Sequence, residues 1–242
     1  MAESILELEN IVKVYGHTVK TEVLHGISLS FQAHSFNSII GQSGSGKSTL
    51  MNIMGTLDDA TEGKVTIEGT PTDAMDKKAL AHLRNKTIGF IFQHHYLLPE
   101  FTARENILMP YRIRHSKVPK DVSDYADELM EVVGITHVAN NPATEMSGGQ
   151  QQRTAIARAL LNRPSVVLAD EPTGSLDSKT TDVVYDLLKK INRTYGTTFI
   201  VITHDRRVAE KTDRIIQLED GRVEMDVNTT EGRDHDEGTD HQ

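Results

Sequence analysis

The sequence predicts an α/β fold with a mostly parallel sheet, on three observations. Short apolar runs of strand length alternate with amphipathic segments of helical period. One such run, Ser38-Ile39-Ile40, leads into a glycine-rich loop and then a helical segment. A long helical stretch without a convincing strand, from about His94 to Leu161, interrupts the alternation and reads as an insertion, not a separate domain.

In chain order, Ile5–Tyr15 mixes β-branched and polar residues and reads as a strand, as does Val23–Phe31. Ser48–Gly55 reads as a helix ended by Gly55. Lys64–Ile67 is a strand closed by Glu68-Gly69, and Ile88–Phe92 an apolar strand ending at Gln93. Within the helical stretch, Thr102-Ala103-Arg104-Glu105 and Ser147-Gly148-Gly149-Gln150 are capping boxes. Val166–Ala169 is a buried strand. Lys179–Tyr195 is an amphipathic helix with Val183, Val184, Leu187, Leu188 and Ile191 on one side. Phe199–Ile202 is another buried strand, and Ile215–Val223 a hairpin around Asp220-Gly221.

Composition bounds the function. There is no cysteine, which excludes disulfides, thiolate metal sites and cysteine nucleophiles. No apolar run nears the ~18 residues of a membrane span, so a membrane role would come from docking onto another chain. The acidic start Met1-Ala2-Glu3-Ser4 lacks the features of a signal peptide. The net charge of −9 is concentrated at the end. From Glu224 onward seven acids face the single base Arg233, which leaves −3 for the rest. The body therefore lacks the basic excess expected of a nucleic-acid binder. The domain is expected to span residues 1–226, with 227–242 a solvated, disordered and dispensable acidic tail.

Gly41-Gln42-Ser43-Gly44-Ser45-Gly46-Lys47-Ser48-Thr49 fits the phosphate-loop pattern G-x-x-x-x-G-K-[ST]. Its glycines let successive N–H groups curl toward phosphate oxygens, and the next helix presents its positive end to them. Lys47 is expected to reach the β- and γ-phosphates, and the Ser48 hydroxyl to bind Mg²⁺. The loop implies a nucleotide binder without choosing among GTPases, kinases and transport ATPases.

Asp170 and Glu171 follow the strand Val166–Ala169. Ligands of open α/β sheets gather at such strand ends. Asp170 suits a Mg²⁺ ligand and Glu171 a general base on the attacking water. Alone, the pair before Pro172 would also suit a solvated turn; with the phosphate loop, the chemical reading prevails.

Met146-Ser147-Gly148-Gly149-Gln150 resembles the LSGGQ signature of the ABC ATPase superfamily, and the resemblance extends over nearly the whole chain. Met146 replaces a leucine of near-equal size. Ser147 is a plausible N-cap, and Gly148 and Gly149 bare a second helix start. The resemblance implies a P-loop NTPase (RecA-like) core with an N-terminal antiparallel β part and an inserted α-helical subdomain at about residues 94–161. It also implies head-to-tail pairing with a second copy or a paired ATPase subunit. Each ATP would then lie between the phosphate loop of one chain and Ser147, Gly148, Gly149 and Gln150 of the other.

The resemblance assigns further roles. Tyr15 would stack on adenine, and Gln93 would approach Mg²⁺ and the attacking water. Ser175-Leu176-Asp177 matches the D-loop, and His204 the histidine that contacts the γ-phosphate. Singly, Tyr15 could be a strand aromatic and His204 an ordinary histidine; the ordered set carries the assignment.

Gly89–Gln93, Leu97–Thr102, Glu105-Asn106 and Leu168–Gly174 resemble the lipoprotein-release (LolD) and macrolide-export (MacB) type. That type implies a motor on the cytoplasmic face of the cell membrane. It drives a permease that docks near Gln93 and the helical subdomain, for export or extraction. Leu97, Leu98 and Phe101 are candidates for that contact or for subdomain core. Alternatives are a regulator resembling the cell-division ATPase FtsE, and an ABC ATPase acting on nucleic acid. One departure stands out: the turn Gln32-Ala33-His34-Ser35 lacks the glycine usual there.

Overall fold

The structure is a computed structural model that describes residues 4–16, 18–174, 176 and 178–229. Ser175 and Asp177, and with them most of the expected D-loop, lie outside the described residues, as does the tail from residue 230. The elements begin with β1 (Ser4–Tyr15), β2 (Thr21–Gln32), β3 (Phe36–Ile40), α1 (Lys47–Met54), β4 (Glu62–Ile67) and β5 (Thr70–Pro71). Then come α2 (Lys77–Thr87), β6 (Ile88–Phe92), α3 (Ala103–Arg112), α4 (Lys120–Val132), α5 (Gly148–Leu160), β7 (Val166–Asp170) and α6 (Ser178–Tyr195). The last are β8 (Thr198–Ile202), α7 (Arg206–Ala209), β9 (Arg214–Glu219) and β10 (Arg222–Asn228).

Two compact units result, residues 1–76 with 198–242, and residues 77–197. In the first, β2, β1, β4 and β5 form an antiparallel sheet in that order. The chain turns from β4 to β5 through Glu68 and Gly69, whose φ angles of 49° and 68° suit a two-residue hairpin turn. A second set runs β10-β9-β3-β8, with β3 parallel to both β8 and β9. All five residues of β3 and all five of β8 are buried; β8 is apolar after Thr198, whereas β3 buries the polar Asn37 and Ser38, the Asn37 amide donating to Ser35 Oγ and to the Phe199 carbonyl. Asp220 (φ 42°) and Gly221 (φ 71°) form the turn expected between β9 and β10. β10 continues to Asn228, two residues past the expected domain end, because Asp226, Val227 and Asn228 all pair with β9.

In the second unit, β6 and β7 run parallel in register from Ile88↔Val166 to Phe92↔Asp170. This unit is wider than the helical stretch 94–161. It includes α2, which was not expected; Leu80 and Leu83 are half-buried and only Thr87 is fully buried, so the apolar face is short and shallow. Both capping boxes are formed, Thr102 with Glu105 on α3 and Ser147 with Gln150 on α5. Gly89 allows α5 to approach β6, since a Cβ there would stand 2.5 Å from the Ala159 carbonyl oxygen. On α6 the buried face is Val184, Tyr185, Leu188 and Ile191. Val183, expected on that face, is 51% exposed; Tyr185 takes its place, one and two turns from Leu188 and Asn192. No helix among the described residues is long and apolar enough to cross a membrane.

Candidate functional site

The first unit carries the phosphate loop between β3 and α1. Gly46, with φ 96°, is the N-cap of α1 and supplies no side-chain cap, so the helix start faces the loop bare. A Cβ on Gly46 would lie 2.8 Å from Leu24 Cδ2, and one on Gly41 would lie 2.2 Å from the Leu218 carbonyl oxygen. A Cβ on Gly44, in contrast, would meet no atom within 4 Å. Two of the glycines thus seat the loop against β2 and β9, while the third leaves open space above it. Ser45 is buried, its N–H donating to the Gln42 carbonyl at 3.2 Å and its own carbonyl accepting from Gly221 at 3.1 Å. The Lys47 ammonium folds back on the loop, donating to the carbonyls of Gly41 at 2.8 Å and Gln42 at 2.6 Å. A cation held there is set for the anionic group that the loop would cradle.

His204 follows β8 and lines a 270 Å³ pocket with Gly41, Gln42 and Arg206. Its turn is held by Asp205, which accepts from the Arg207 N–H at 3.0 Å and pairs with the Arg207 guanidinium at 2.8 Å. The Arg207 hydrogen bond holds the Asp205 carboxyl below its ordinary range. Tyr15 ends β1, the residue 42% exposed, and its hydroxyl donates to Asp58 at 2.7 Å. Asp58 was missed by sequence reasoning, because 43 residues separate it from Tyr15.

The second unit carries the other candidates. The pairing Phe92↔Asp170 brings the ends of β6 and β7 level, so Gln93 and Glu171 leave the sheet side by side. Glu171 takes φ 44°, in the left-handed region that costs a side chain about 1–2 kcal/mol. Its carbonyl accepts from the Gly174 N–H at 3.0 Å. A Cβ on Gly174 would lie 2.6 Å from Gln93 Nε2, so the Gln93 amide rests against the turn that holds Glu171. Gly174 is a second positioning residue that sequence reasoning quoted without a role.

Ser147 caps α5, its hydroxyl accepting from the Gln150 N–H at 3.3 Å while Gln150 Oε1 accepts from the Ser147 N–H at 2.8 Å. A Cβ on Gly148 or Gly149 would find its nearest neighbour at 3.8 and 3.5 Å, an ordinary contact. The fold of the chain therefore does not demand glycine at either place. Asp177 lies outside the described residues.

The arrangement is that of a phosphate-binding ATPase cassette, and the comparisons with known proteins agree. Residues 24–174 match the ABC transporter family. The chain is 50% identical over 221 residues to the lipoprotein-releasing system ATP-binding protein LolD 1 of Rhodopseudomonas palustris, covering 90% of this chain and 98% of that one. It is 47% identical over 227 residues to the LolD of Anaeromyxobacter dehalogenans, covering 93% and 95%. Among solved structures, the dimeric ABC transporter cassette MJ0796 superposes with a TM-score of 0.84 at 42% identity, covering 93% of this chain and 98% of that one. The same cassette in a post-hydrolysis dimer bound to ADP and Pi gives 0.84 at 41% identity, with the same coverage.

The chain belongs to the ABC transporter family. It is an ATP-binding, ATP-hydrolysing subunit, the ATP-driven motor of a membrane transporter.

Proposed function

We propose that two copies of the chain, or one copy and a paired ATPase subunit, close head-to-tail over two ATP molecules. The observation that carries this reading is the pair Gly148 and Gly149. They bare the start of α5 although a Cβ would fit at both, which suits an anion arriving from another chain. Gly41 to Thr49 would hold the phosphates of one ATP, and Ser147, Gly148, Gly149 and Gln150 of the second chain would close over it, with Asp177 at the interface. Lys47 would exchange the carbonyls of Gly41 and Gln42 for β- and γ-phosphate oxygens. Tyr15 would stack on adenine, and His204 would orient the γ-phosphate.

The Ser48 hydroxyl, the Gln93 amide oxygen and the Asp170 carboxylate are all oxygen donors of the kind Mg²⁺ takes, and these residues would hold it. Bound there, Mg²⁺ supplies neutralisation of the phosphate charge. Glu171 would accept a proton from the attacking water, with its backbone set in the left-handed region by a turn against which Gln93 rests.

The relatives are named for lipoprotein release, and the motor would serve that kind of process; export or extraction at the cytoplasmic face is what the resemblance to the lipoprotein-release type implies. A permease would dock near Gln93, where Leu98 and Phe101 are 40% and 37% exposed. Tyr96, 64% exposed, joins that candidate surface. Glu171→Gln tests the mechanism. Turnover should fall at least ~100-fold with ATP binding intact, and sedimentation in ATP should show a trapped dimer. Ordinary turnover in that variant would remove Glu171 as the base.

A further inference from the structure

We infer that Asp58 is a positioning residue for nucleotide binding, holding Tyr15 as a fixed adenine platform registered on the phosphate-loop helix. The inference rests on the reading of Tyr15 as the adenine contact. An exposed aromatic at the end of a strand would ordinarily be free to swing, and each rotamer frozen on binding costs affinity. Tyr15 is not free. Its hydroxyl donates to Asp58 Oδ2 at 2.7 Å. Burial, and then the Asp58 carboxylate, push the phenol above its ordinary range, so it stays a donor at any physiological pH.

Asp58 is itself fixed by three groups. Lys13 donates to its other oxygen, Oδ1, at 2.7 Å, and the Asp59 N–H donates to Oδ1 at 2.8 Å. Its own N–H donates to the Asn52 carbonyl at 3.2 Å, which fastens it to α1. Burial would raise the Asp58 carboxyl, but the bonds from Lys13 and Tyr15 hold it below its ordinary range, and it stays ionised. Lys13 lies two residues before Tyr15, on the same face of β1, with a nearly buried side chain. It also donates to the Asp59 carbonyl at 2.6 Å, and its ammonium sits 4.8 Å from the centroid of the Tyr15 ring. The strand that carries the ring and the helix that carries the phosphate loop are thus joined through one residue, its carboxylate on Tyr15 and Lys13 and its backbone N–H on the end of α1. Adenine and phosphates would be read at a fixed spacing.

Calorimetric titration with ATP and with inorganic tripolyphosphate, which has no base, tests this. Removing Asp58 alone would strand the buried Lys13 ammonium and endanger folding, so Asp58→Ala is compared in a Lys13→Met background. The expected result is a rise of about five- to tenfold in the Kd for ATP, with the Kd for tripolyphosphate unchanged. Tyr15→Phe, which keeps the ring and the Lys13–Asp58 pair, should weaken ATP by a similar factor. It should add nothing further once Asp58 is gone. An ATP Kd within about twofold of the Lys13→Met protein, while Tyr15→Ala does weaken ATP, would overturn the role of Asp58 and leave the platform standing. Equal losses for ATP and tripolyphosphate would also overturn it, as a merely structural effect. Full ATP affinity in Tyr15→Ala would remove the platform reading and this inference with it.

Discussion

The guanidinium of Arg158 donates to the backbone carbonyl of Tyr96 at 2.6 Å, and its other nitrogen donates to the His95 carbonyl at 2.7 Å. One side chain thus ties the helix that begins at the signature glycines to the segment that follows Gln93. Burial lowers the pKa of this guanidinium, which marks the desolvation it accepts for those two bonds. Arg158→Ala should lower stability by about 1–3 kcal/mol, since both carbonyls lose a charged donor. Arg158→Lys should not restore it, because a point ammonium cannot span the two acceptors as the planar fork does. Urea unfolding of the three proteins checks both statements.

The phosphate-loop glycines should differ in what they tolerate. Gly41→Ala would drive a methyl to 2.2 Å from the Leu218 carbonyl oxygen and 2.7 Å from Ser45 Oγ. It should cost about 3 kcal/mol and abolish ATP binding. Gly44→Ala has space, so its cost is that of a left-handed backbone, about 1 kcal/mol. Denaturant midpoints of the nucleotide-free variants should fall in that order.

His34 occupies the left-handed region with φ 66°, in the turn of residues 32–35 that was expected to differ in geometry for want of a glycine. Its N–H donates to Thr198 Oγ1 at 2.9 Å, and Ser35 Oγ donates to the Gln32 carbonyl at 2.6 Å, so the turn keeps its form without glycine. His34→Gly retains the backbone bond and relieves the Cβ clash, against a larger chain entropy when unfolded. The balance should raise stability by about 0.5 kcal/mol, read as a higher urea midpoint with unchanged slope.

Tyr195 ends α6, and its hydroxyl donates to Glu128 of α4 at 2.9 Å. Burial, and then the Glu128 carboxylate, push the phenol up to about 12. A folded value above the unfolded value of about 10 stabilises the protein fully below pH 10. That contribution is lost as pH rises toward 12. The group is largely exposed, so screening keeps the effect below about 1 kcal/mol. The stability gap between the native chain and Tyr195→Phe should therefore shrink between pH 10 and pH 12.

The local parts of this fold were legible in the sequence. The phosphate loop, both capping boxes and the Asp220-Gly221 turn are signals within a few residues, set by backbone geometry. β6, β7 and β8 were legible as short, largely buried and mostly apolar runs, and β3 through its Ile39-Ile40 end, which leads into the glycine-rich loop. α2 was not, since two half-buried leucines, Leu80 and Leu83, make too short an apolar face to stand out among its charged and polar residues. Val183 misled because it adjoins Val184 in sequence but lies about a quarter-turn away on α6. The site was legible as residue types but not as supports. Asp58 under Tyr15, Asp205 beside His204 and Gly174 against Gln93 act through contacts that a strand register or a loop creates.

The central claim, a motor that drives a membrane permease, is tested most directly by affinity purification of the detergent-solubilised native protein. Partners would be identified, and ATP hydrolysis measured with and without them. A polytopic membrane protein should co-purify and raise the rate of hydrolysis, and Glu171→Gln should abolish that rate. Recovery of a soluble nucleoprotein partner instead, or hydrolysis indifferent to every membrane protein recovered, would contradict the motor reading.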